Sequence, residues 1–446
     1  MSSFIAPISR RTVLGATAAA LTIPALAACG KSGGSGEEGT VAGSSIVLQT
    51  ISGLEPNFKK YAEAYTAKFS DRKVEVRAST DDGTEYAQQL ATARLSGELP
   101  DVFFNVDYMA DTLFTNNITL DLVPGAKDGK LGQPLDNFLP QFLGQYRPLL
   151  HPDAVTGLPV SADSVALFYN ADVFSSAGVD TLPAEDWTWD QLYSVAQQIV
   201  DKSGGKHIGL TAPLGNGSNQ IVFGPVLKAF GAKYYDSDAN TVDIGSDAAV
   251  QAWELLIKAY GTASPKYSAS PTTPEGEKFD SGNVAITIAT SANVPATRTA
   301  LEGKNWDVCP MPKINGKSTA GGGSYGMSIA QTSKNQAAAW EFLKWFYASD
   351  GGMVVAQQVA NAIPPTDDGI DHGAWRDVKP PNNIGSFATS ARSAVLLTAL
   401  PGTASATLTT ATTKATQEVV LKGRSIKDAF TEAQNTVNAK LAQEKK

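Results

Sequence analysis

Hydrophobic and polar positions between residues 46 and 104 repeat with two different periods. The segments 46–48 and 74–77 are predicted strands, and 101–104 is an apolar run typical of a buried strand. Between the first two, five apolar side chains recur at helical spacing along one stripe: Phe58, Tyr61, Ala62, Tyr65 and Phe69. A further helix is predicted over 85–96, ended by Gly97. Strands alternate with helices, which predicts an α/β fold with a mostly parallel sheet.

The same alternation continues through the rest of the chain. Strands are predicted at 165–169, 284–288 and 325–329. Thr188 with Gln191, and Ser333 with Gln336, have the spacing of a capping box, which predicts helices from 188 to 200 and from 333 to about 349. Loops rich in proline and asparagine then lead to an Ala/Thr-rich region at 398–416. A final helix is predicted to begin at Ser425.

The first 45 residues have the composition of an export signal and a tether. Arg10-Arg11 precede a weakly apolar run from Val13 to Ala28, and small residues lead to Cys29. The arginine pair resembles a twin-arginine signal, and Leu26-Ala27-Ala28-Cys29 resembles a bacterial lipobox. This resemblance implies a signal peptide at 1–28, lipidation of Cys29, a flexible tether at 29–45, and a place on the extracellular face of the cell membrane. The alternative is an ordinary cleaved signal with Cys29 present by chance.

Charge and cysteine content narrow the function classes. The net charge of −8 without a basic block argues against nucleic acid and against docking on anionic lipid. If Cys29 is lipidated, Cys309 is the remaining thiol of two, so neither a disulfide nor a cysteine metal site is expected. No segment after the signal approaches 18 apolar residues, so no membrane span is predicted.

Motifs of the common enzyme classes are missing from the sequence. The three histidines are far apart, and neither a Gly-x-Ser-x-Gly elbow nor a phosphate-binding loop is present. We therefore expect no metal, no cofactor and no catalytic activity. A secreted glycosidase stays open as an alternative, because its two carboxylates meet in space and not in sequence.

Several segments in order resemble the extracytoplasmic solute-binding proteins of ABC importers, the branch that contains maltose-binding protein. The segments that carry this resemblance are 97–104, 167–174 with Ala177-Gly178, 187–192, 279–286, 310–312, 321–329 and 333–343. The resemblance implies a two-lobe periplasmic-binding-protein fold of type II, with a ligand cleft between lobes that close by a hinge. It also implies a monomer that captures a small sugar, an oligosaccharide or a polyol and delivers it to membrane permease subunits.

Carried onto this chain, the family architecture predicts the lobe limits. The first lobe is 46–161 with about 325–376, and the second is 162–324 with about 377–446. A protein that presents its solute to a membrane sensor instead of a permease shares this fold and stays open as an alternative. The sequence does not identify the solute.

A sugar site needs carboxylates and amides that bind hydroxyls, together with aromatic planes. Asn105, Asp107 and Tyr108 directly follow a buried strand, at the end of an α/β sheet where ligands gather. Ordinary turn chemistry would also explain the Asn and the Asp.

The resemblance adds further candidates. Asp163, six residues before Tyr169, matches a position with a cleft carboxylate in the family; a loop cap or hinge acid is the alternative. The other candidates by position are Glu55, Asn216, Asn219, Ser291, Asn293, Gly323, Ser324 and Tyr325. Many family members carry a stacking tryptophan near Ala292, which this chain lacks, so Trp375 with Arg376 is the predicted replacement.

Overall fold

Two mixed β-sheets organise the protein in the computed structural model, which describes residues 44–149, 151–214, 219–268, 270, 273–397 and 399–444. The strands, in chain order, are β1 Ser45–Ile51, β2 Lys73–Ser79, β3 Val102–Val106, β4 Leu158–Pro159, β5 Asp163–Asn170, β6 Ile208–Leu210, β7 Val284–Thr290, β8 Trp306–Cys309, β9 Lys313–Ile314, β10 Lys317–Ser318, β11 Gly322–Gly323 and β12 Tyr325–Ile329.

Helices cover the faces of both sheets. They are α1 Glu55–Lys68, α2 Gly83–Ser96, α3 Ala110–Thr115, α4 Leu122–Lys127, α5 Pro140–Gly144, α6 Ala171–Ala177, α7 Trp189–Lys202, α8 Gln220–Phe230, α9 Asp247–Ile257, α10 Val294–Ala300, α11 Gln336–Phe346, α12 Gly352–Ala360, α13 Asp367–His372, α14 Ser386–Ser393, α15 Ala404–Lys422 and α16 Ile426–Glu444. Short 3-10 helices, among them Asp107–Met109 and Ser291–Asn293, follow several strands. Among the described residues, no helix combines the length and apolar character needed to cross a membrane.

The first sheet has the strand order β2-β1-β3-β12-β4, and the second has the order β11-β5-β7-β6 with β8 also paired to β5. The pairs β1–β2, β1–β3 and β6–β7 are parallel, whereas the pairs made by β5 and by β12 are antiparallel. The α/β fold with two lobes is confirmed, but the predicted mostly parallel pairing holds only for β1–β2, β1–β3 and β6–β7. The reason is that β12 enters the first sheet from the second one, and so runs against β3.

The chain passes between the sheets near β4 and near β12. β4 belongs to the first sheet and β5 to the second, so residues 160–162 form one crossing; β11 and β12 belong to different sheets, so Ser324 forms another. Residues near 363 run beside the first crossing, where Ala162 N donates to Ile363 O at 2.8 Å and Ile363 N donates to Ser161 Oγ at 3.2 Å. These hydrogen-bonded crossings hold the loops at the ends of both sheets close together.

Three hydrophobic cores stabilise the fold. The first core packs α1, α2 and α11 on the first sheet, and the second packs α7, α8, α9, α15 and α16 on the second sheet. The third core lies around Phe168 and contains residues from both predicted lobes, including Phe142 and Trp375. Ile363, Ile370 and Trp375, which the predicted limit of about 376 assigns to the first lobe, thus share a core with the second sheet.

Local signals in the sequence explain most helix ends. Gly97 adopts a left-handed conformation (φ 76°) at the end of α2, and Thr188 and Gln191 form the predicted capping box of α7. The predicted cap at Ser333 is wrong, because α11 begins at Gln336 with Asn335 before it. The Ser333 hydroxyl instead donates to Asp101 Oδ1 at 2.6 Å. The hydroxyl that would cap the helix in a capping box is therefore bound to the buried Asp101 carboxylate.

Candidate functional site

The main cavity, of about 670 Å³, lies between elements of the two lobes. On the first-lobe side it is lined by Gly83, Thr84, Ala87, Gln88, Ala91, Asp107, Tyr108, Met109, Thr112, Leu113, Asn116, Ile118 and Gln145. On the second-lobe side it is lined by Gln220, Ile221, Gly322, Leu397, Ala399, Gly402, Thr403, Ser405, Ala406 and Thr409. Of these described lining residues, Asp107 carries the one formal charge and Tyr108 the one aromatic ring.

Asp107 and Tyr108 stand at the carboxyl end of β3, where the sheet stops and the 3-10 helix Asp107–Met109 begins. Tyr108 is 56% exposed, so its ring is available to a solute. Helix α2 begins beside it, with Asp82 accepting from Glu85 N at 2.9 Å as the N-cap. A Cβ at position 83 would displace the ends of the Tyr108 and Met109 side chains, so Gly83 lets them pack against the start of α2.

The Asp107 carboxylate is the polar centre of the main cavity. Its Oδ1 accepts from Tyr108 N at 2.7 Å, and its Oδ2 accepts from Gln145 Nε2 at 3.0 Å and from Ser324 N at 3.2 Å. Burial, together with the nearby negative charge of Asp163, raises the pKa of Asp107 to about 6 despite these donors. The Oε1 of Gln145 is buried and makes no hydrogen bond to any residue that the structure describes.

A smaller cavity of about 320 Å³ shares Asp107, Gln145, Leu397 and Ala399 with the main one. Its further lining residues are Asp111, Pro140, Gln141, Gly144, Arg147, Leu149, Lys228, Ala394, Val395 and Leu396. Its lining includes the cations Arg147 and Lys228, whereas the main cavity is lined by no cation among the described residues. Asp107 and Gln145 therefore lie between a cavity with cations and a cavity without them.

Asp163 lies at the start of β5 and lines neither of these two cavities. Its Oδ1 accepts from Ser161 Oγ at 2.7 Å and from Ser291 Oγ at 3.0 Å, and burial raises its pKa. The carboxylate thus joins the first crossing segment to the loop that follows β7. Its backbone pairs with Gly323 of β11, and the Asp107 carboxylate also lies beside Gly323.

The remaining candidates from the sequence make contacts within the protein. Asn105 is fully buried and donates from Nδ2 to Ser328 Oγ at 2.9 Å, while its Oδ1 has no partner among the described residues. Ser324 donates from Oγ to Tyr146 Oη at 3.0 Å, and Tyr325 stacks on Phe104 beside the first core.

The polar candidates outside the crossings have local roles. Asn293 accepts from Thr290 Oγ1 at 3.1 Å in a capping box, and Glu55 pairs with Lys59 at 2.7 Å on the surface of α1. Asn219 precedes α8 without lining the main cavity, although its neighbour Gln220 does. Asn216 and Cys29 lie outside the described residues.

The predicted stacking residue Trp375 is wrong. Its side chain is fully buried in the third core, and its Nε1 donates to Gly369 O at 2.9 Å. Arg376 packs over the Trp375 ring and donates from Nη1 to Ile370 O at 3.0 Å, so it does not line the main cavity either. The error arises because residues 363–375 pack against the second sheet instead of facing the space between the lobes.

Sequence reasoning missed several lining residues. Thr84 and Gln88 could have been found from the sequence. Asp82-Gly83-Thr84 has the pattern of a helix start, and it comes shortly after a predicted strand, where ligands bind in α/β folds. Gln145, Ile221 and Leu397 have no such signal. They reach the cavity through the packing of α5, α8 and the segment after α14, which local patterns do not encode.

A cleft between two α/β lobes, with a carboxylate and an exposed ring at the end of a strand, is a place where small molecules commonly bind. The family model described as bacterial extracellular solute-binding protein matches residues 52–353, more than half of the chain. The chain therefore belongs to this family, whose members are binding proteins rather than enzymes.

Relatives and solved structures agree with the family. Over 232 residues the chain is 23% identical to a binding protein of Brucella abortus (49% of this chain, 54% of the relative), so it spans about half the length of the first curated relatives it matches. Over 325 residues it is 26% identical to the lactose-binding protein of Rhizobium radiobacter, covering 68% of this chain and 70% of that one. The fold matches the sugar-binding protein MalE from Xanthomonas citri with a TM-score of 0.76 at 17% identity, over 90% of this chain and 98% of that chain.

Proposed function

We propose that this protein captures a carbohydrate in the main cavity and delivers it to the permease subunits of an ABC importer. The observation that carries the proposal is Asp107 with Tyr108 at the end of β3, facing a cavity of about 670 Å³ between the lobes. Family membership and the names of relatives, such as the lactose-binding protein, support a carbohydrate as the solute.

The chemistry of the proposed site follows from these residues. The Asp107 carboxylate accepts a hydrogen bond from a sugar hydroxyl, and the Tyr108 ring covers an apolar ring face. The Oδ2 of Asp163 makes no hydrogen bond within the described part of the chain, and we propose that it contacts the solute when the lobes close.

Closure of the two lobes is the second part of the proposal. A solute that touches both walls of the cavity binds the closed arrangement more tightly than the open one, and so shifts the population towards it. The hydrogen-bonded crossings at 160–162 and 324 are the proposed hinge. Small-angle X-ray scattering should record a smaller radius of gyration at saturating solute, and an unchanged radius would contradict closure.

The binding proposal is tested by calorimetric titration of the full chain with glucose, galactose, lactose, maltose, maltotriose and mannitol. Ala87→Trp adds a large side chain to the lining of the main cavity and should abolish the heat of binding. Leu95→Trp is the matched control, because Leu95 lies on the same helix, is 89% exposed and is not a lining residue. No heat with any of these compounds, or equal affinity in both variants, would contradict the proposal.

We further propose that lipid at Cys29 holds the protein on the extracellular face of the cell membrane, where it acts as a monomer. Cys29→Ala should release the protein from the membrane fraction. Cys309→Ala is the control, because the Cys309 thiol is buried in the fold and should not affect anchoring. A Cys29→Ala variant that stays in the membrane fraction after a high-salt wash would contradict the anchor.

A further inference from the structure

We propose that the solute of the main cavity is an amino sugar, whose protonated nitrogen binds the Asp107 carboxylate. This inference rests on the proposed carbohydrate function and narrows it to a sugar with a basic group. The observation behind it is an imbalance of charge. Among the described residues that line the main cavity, Asp107 carries a negative charge and none carries a positive one. A charge taken out of water is costly unless an opposite charge lies beside it, and a cationic solute provides that charge.

The donors that the described residues offer to Asp107 are all neutral. Its Oδ1 accepts from Tyr108 N at 2.7 Å, and its Oδ2 accepts from Gln145 Nε2 at 3.0 Å and from Ser324 N at 3.2 Å. These three donors leave about one acceptor site on the carboxylate, which a protonated amine can take. The exposed ring of Tyr108 lies next in the chain, and an aromatic face also attracts a cation.

The charge with the largest effect on Asp107 is a second carboxylate, that of Asp163. Asp163 accepts from Ser161 Oγ and Ser291 Oγ, so its own partners are neutral as well. Burial, and then the repulsion between the two negative charges, raises the pKa of Asp107 to about 6. An ammonium group at Asp107 offsets this repulsion, whereas a hydroxyl carries no charge to do so. A hydrogen bond between two charged groups is also roughly twice as strong as a neutral one.

Two cations, Arg147 and Lys228, line the smaller cavity and not the main one. Asp111 lines the same smaller cavity, so these cations face a carboxylate other than Asp107. Within the described part of the chain, neither cation is among the groups that shift the pKa of Asp107 most. A solute in the main cavity therefore meets the Asp107 carboxylate from a side that holds no cation.

The remaining polar lining of the main cavity suits the hydroxyls of a sugar. Four uncharged polar side chains on the first-lobe side are exposed, namely Thr84, Gln88, Thr112 and Asn116. Hydroxyl and amide groups can donate to sugar hydroxyls and accept from them. On the second-lobe side, Gln220 Nε2 donates to Thr409 Oγ1 at 3.0 Å, so these two groups already bind each other. The solute that matches this lining carries several hydroxyls and one positive charge.

The test compares amino sugars with neutral analogues by calorimetric titration of the full chain at pH 7, where most of the sugar amine is protonated. The three sets are glucose, galactose and mannose, each with its 2-amino form and its N-acetylated 2-amino form. The N-acetylated form keeps the nitrogen and loses the charge. We expect the amino sugar of at least one set to bind about ten times more tightly than both neutral members.

Asp107→Asn removes the charge and should bring the affinities of the amino sugar and its neutral parent to within about twofold. Asp111→Asn is the matched control, because Asp111 lies four residues further along the chain and lines only the smaller cavity. It should keep the preference for the amino sugar. Asp107→Ala provides a second variant in case Asp107→Asn does not fold, since it places no amide group beside the Gln145 and Ser324 donors.

Neutral sugars that bind while no amino sugar binds at least three times more tightly would overturn the inference and leave the proposed function intact. A preference for the amino sugar that persists in the Asp107 variants, or that is lost in Asp111→Asn, would overturn the assignment of the nitrogen to Asp107. A chain that binds none of the neutral sugars and none of the amino sugars would overturn both the inference and the proposed function.

Discussion

Two carboxylates beside the crossing segments look alike in the sequence and differ in the structure. Asp107 and Asp163 both lie beside Gly323 of β11, are both half-buried, and both have raised pKa values. Asp107 lines both cavities, whereas Asp163 binds two serine hydroxyls and lines neither. The comparison teaches that partial burial and a raised pKa do not by themselves separate a carboxylate that lines a cavity from one that links two segments of the chain.

The largest effect is expected from removing the Asp107 carboxylate. Three protein donors leave about one acceptor site on the carboxylate, and a hydrogen bond from a sugar hydroxyl to it contributes about 2 kcal/mol, so Asp107→Ala should weaken binding about thirtyfold. Titration calorimetry with the best-binding sugar measures this change. Asp128→Ala, which removes an exposed carboxylate outside both cavities, is the control. Affinity within threefold of the parent would remove Asp107 from the site.

Removing the Asp163 carboxylate should have a smaller effect on binding and a clear effect on stability. Asp163→Ala leaves the Ser161 and Ser291 hydroxyls without their shared acceptor, which should lower the free energy of unfolding by about 1–2 kcal/mol. Affinity should fall by about tenfold. Asp163→Asn keeps an acceptor oxygen and should restore most of the stability in urea titrations. If Asp163→Ala weakened binding more than Asp107→Ala, Asp163 and not Asp107 would be the main carboxylate that binds the solute.

The pH dependence of binding should report Asp107. Sugar hydroxyls donate more strongly to the carboxylate than to the protonated acid, so affinity should fall by up to about fourfold between pH 7.5 and 5.5, around a pKa of about 6. The free energy of unfolding should change with pH in the opposite direction to the affinity. Because burial raises the pKa of Asp107 above its ordinary value, its contribution to folding is fully present below about pH 4 and is lost as the pH rises through about 6. A flat affinity profile would contradict the role of Asp107.

The smallest effect is expected at Tyr108. Loss of its ring should weaken binding about threefold, since contact of an aromatic face contributes roughly 0.5–1.5 kcal/mol. Tyr108→Ala should show this loss in the same titration, and Tyr108→Phe should stay close to the parent. Equal losses in both variants would show that the hydroxyl, and not the ring, contacts the sugar.

Much of the fold could be predicted because its signals are local. The stripe on α1, the capping box of α7 and the end of α2 at Gly97 depend on residues a few positions apart. Strand direction could not be predicted, because β12 reaches the first sheet through a crossing that no local pattern encodes.

Of the residues that line the main cavity, the sequence predicted those that directly follow a strand. These are Asp107 and Tyr108, which come after the end of β3. Trp375 was assigned to the site from its loop position, but its large apolar side chain is buried in the third core instead. Leu397 was missed, because only the packing of the second lobe brings it to the cavity.

The most direct test of the central claim is a crystal structure of the protein with the tightest-binding carbohydrate of the titration panel. The account predicts electron density for the sugar in the main cavity, with hydroxyls within hydrogen-bond distance of the Asp107 carboxylate and a ring face against Tyr108. Density outside this cavity, with Asp107 still bonded only to Tyr108, Gln145 and Ser324, would contradict it.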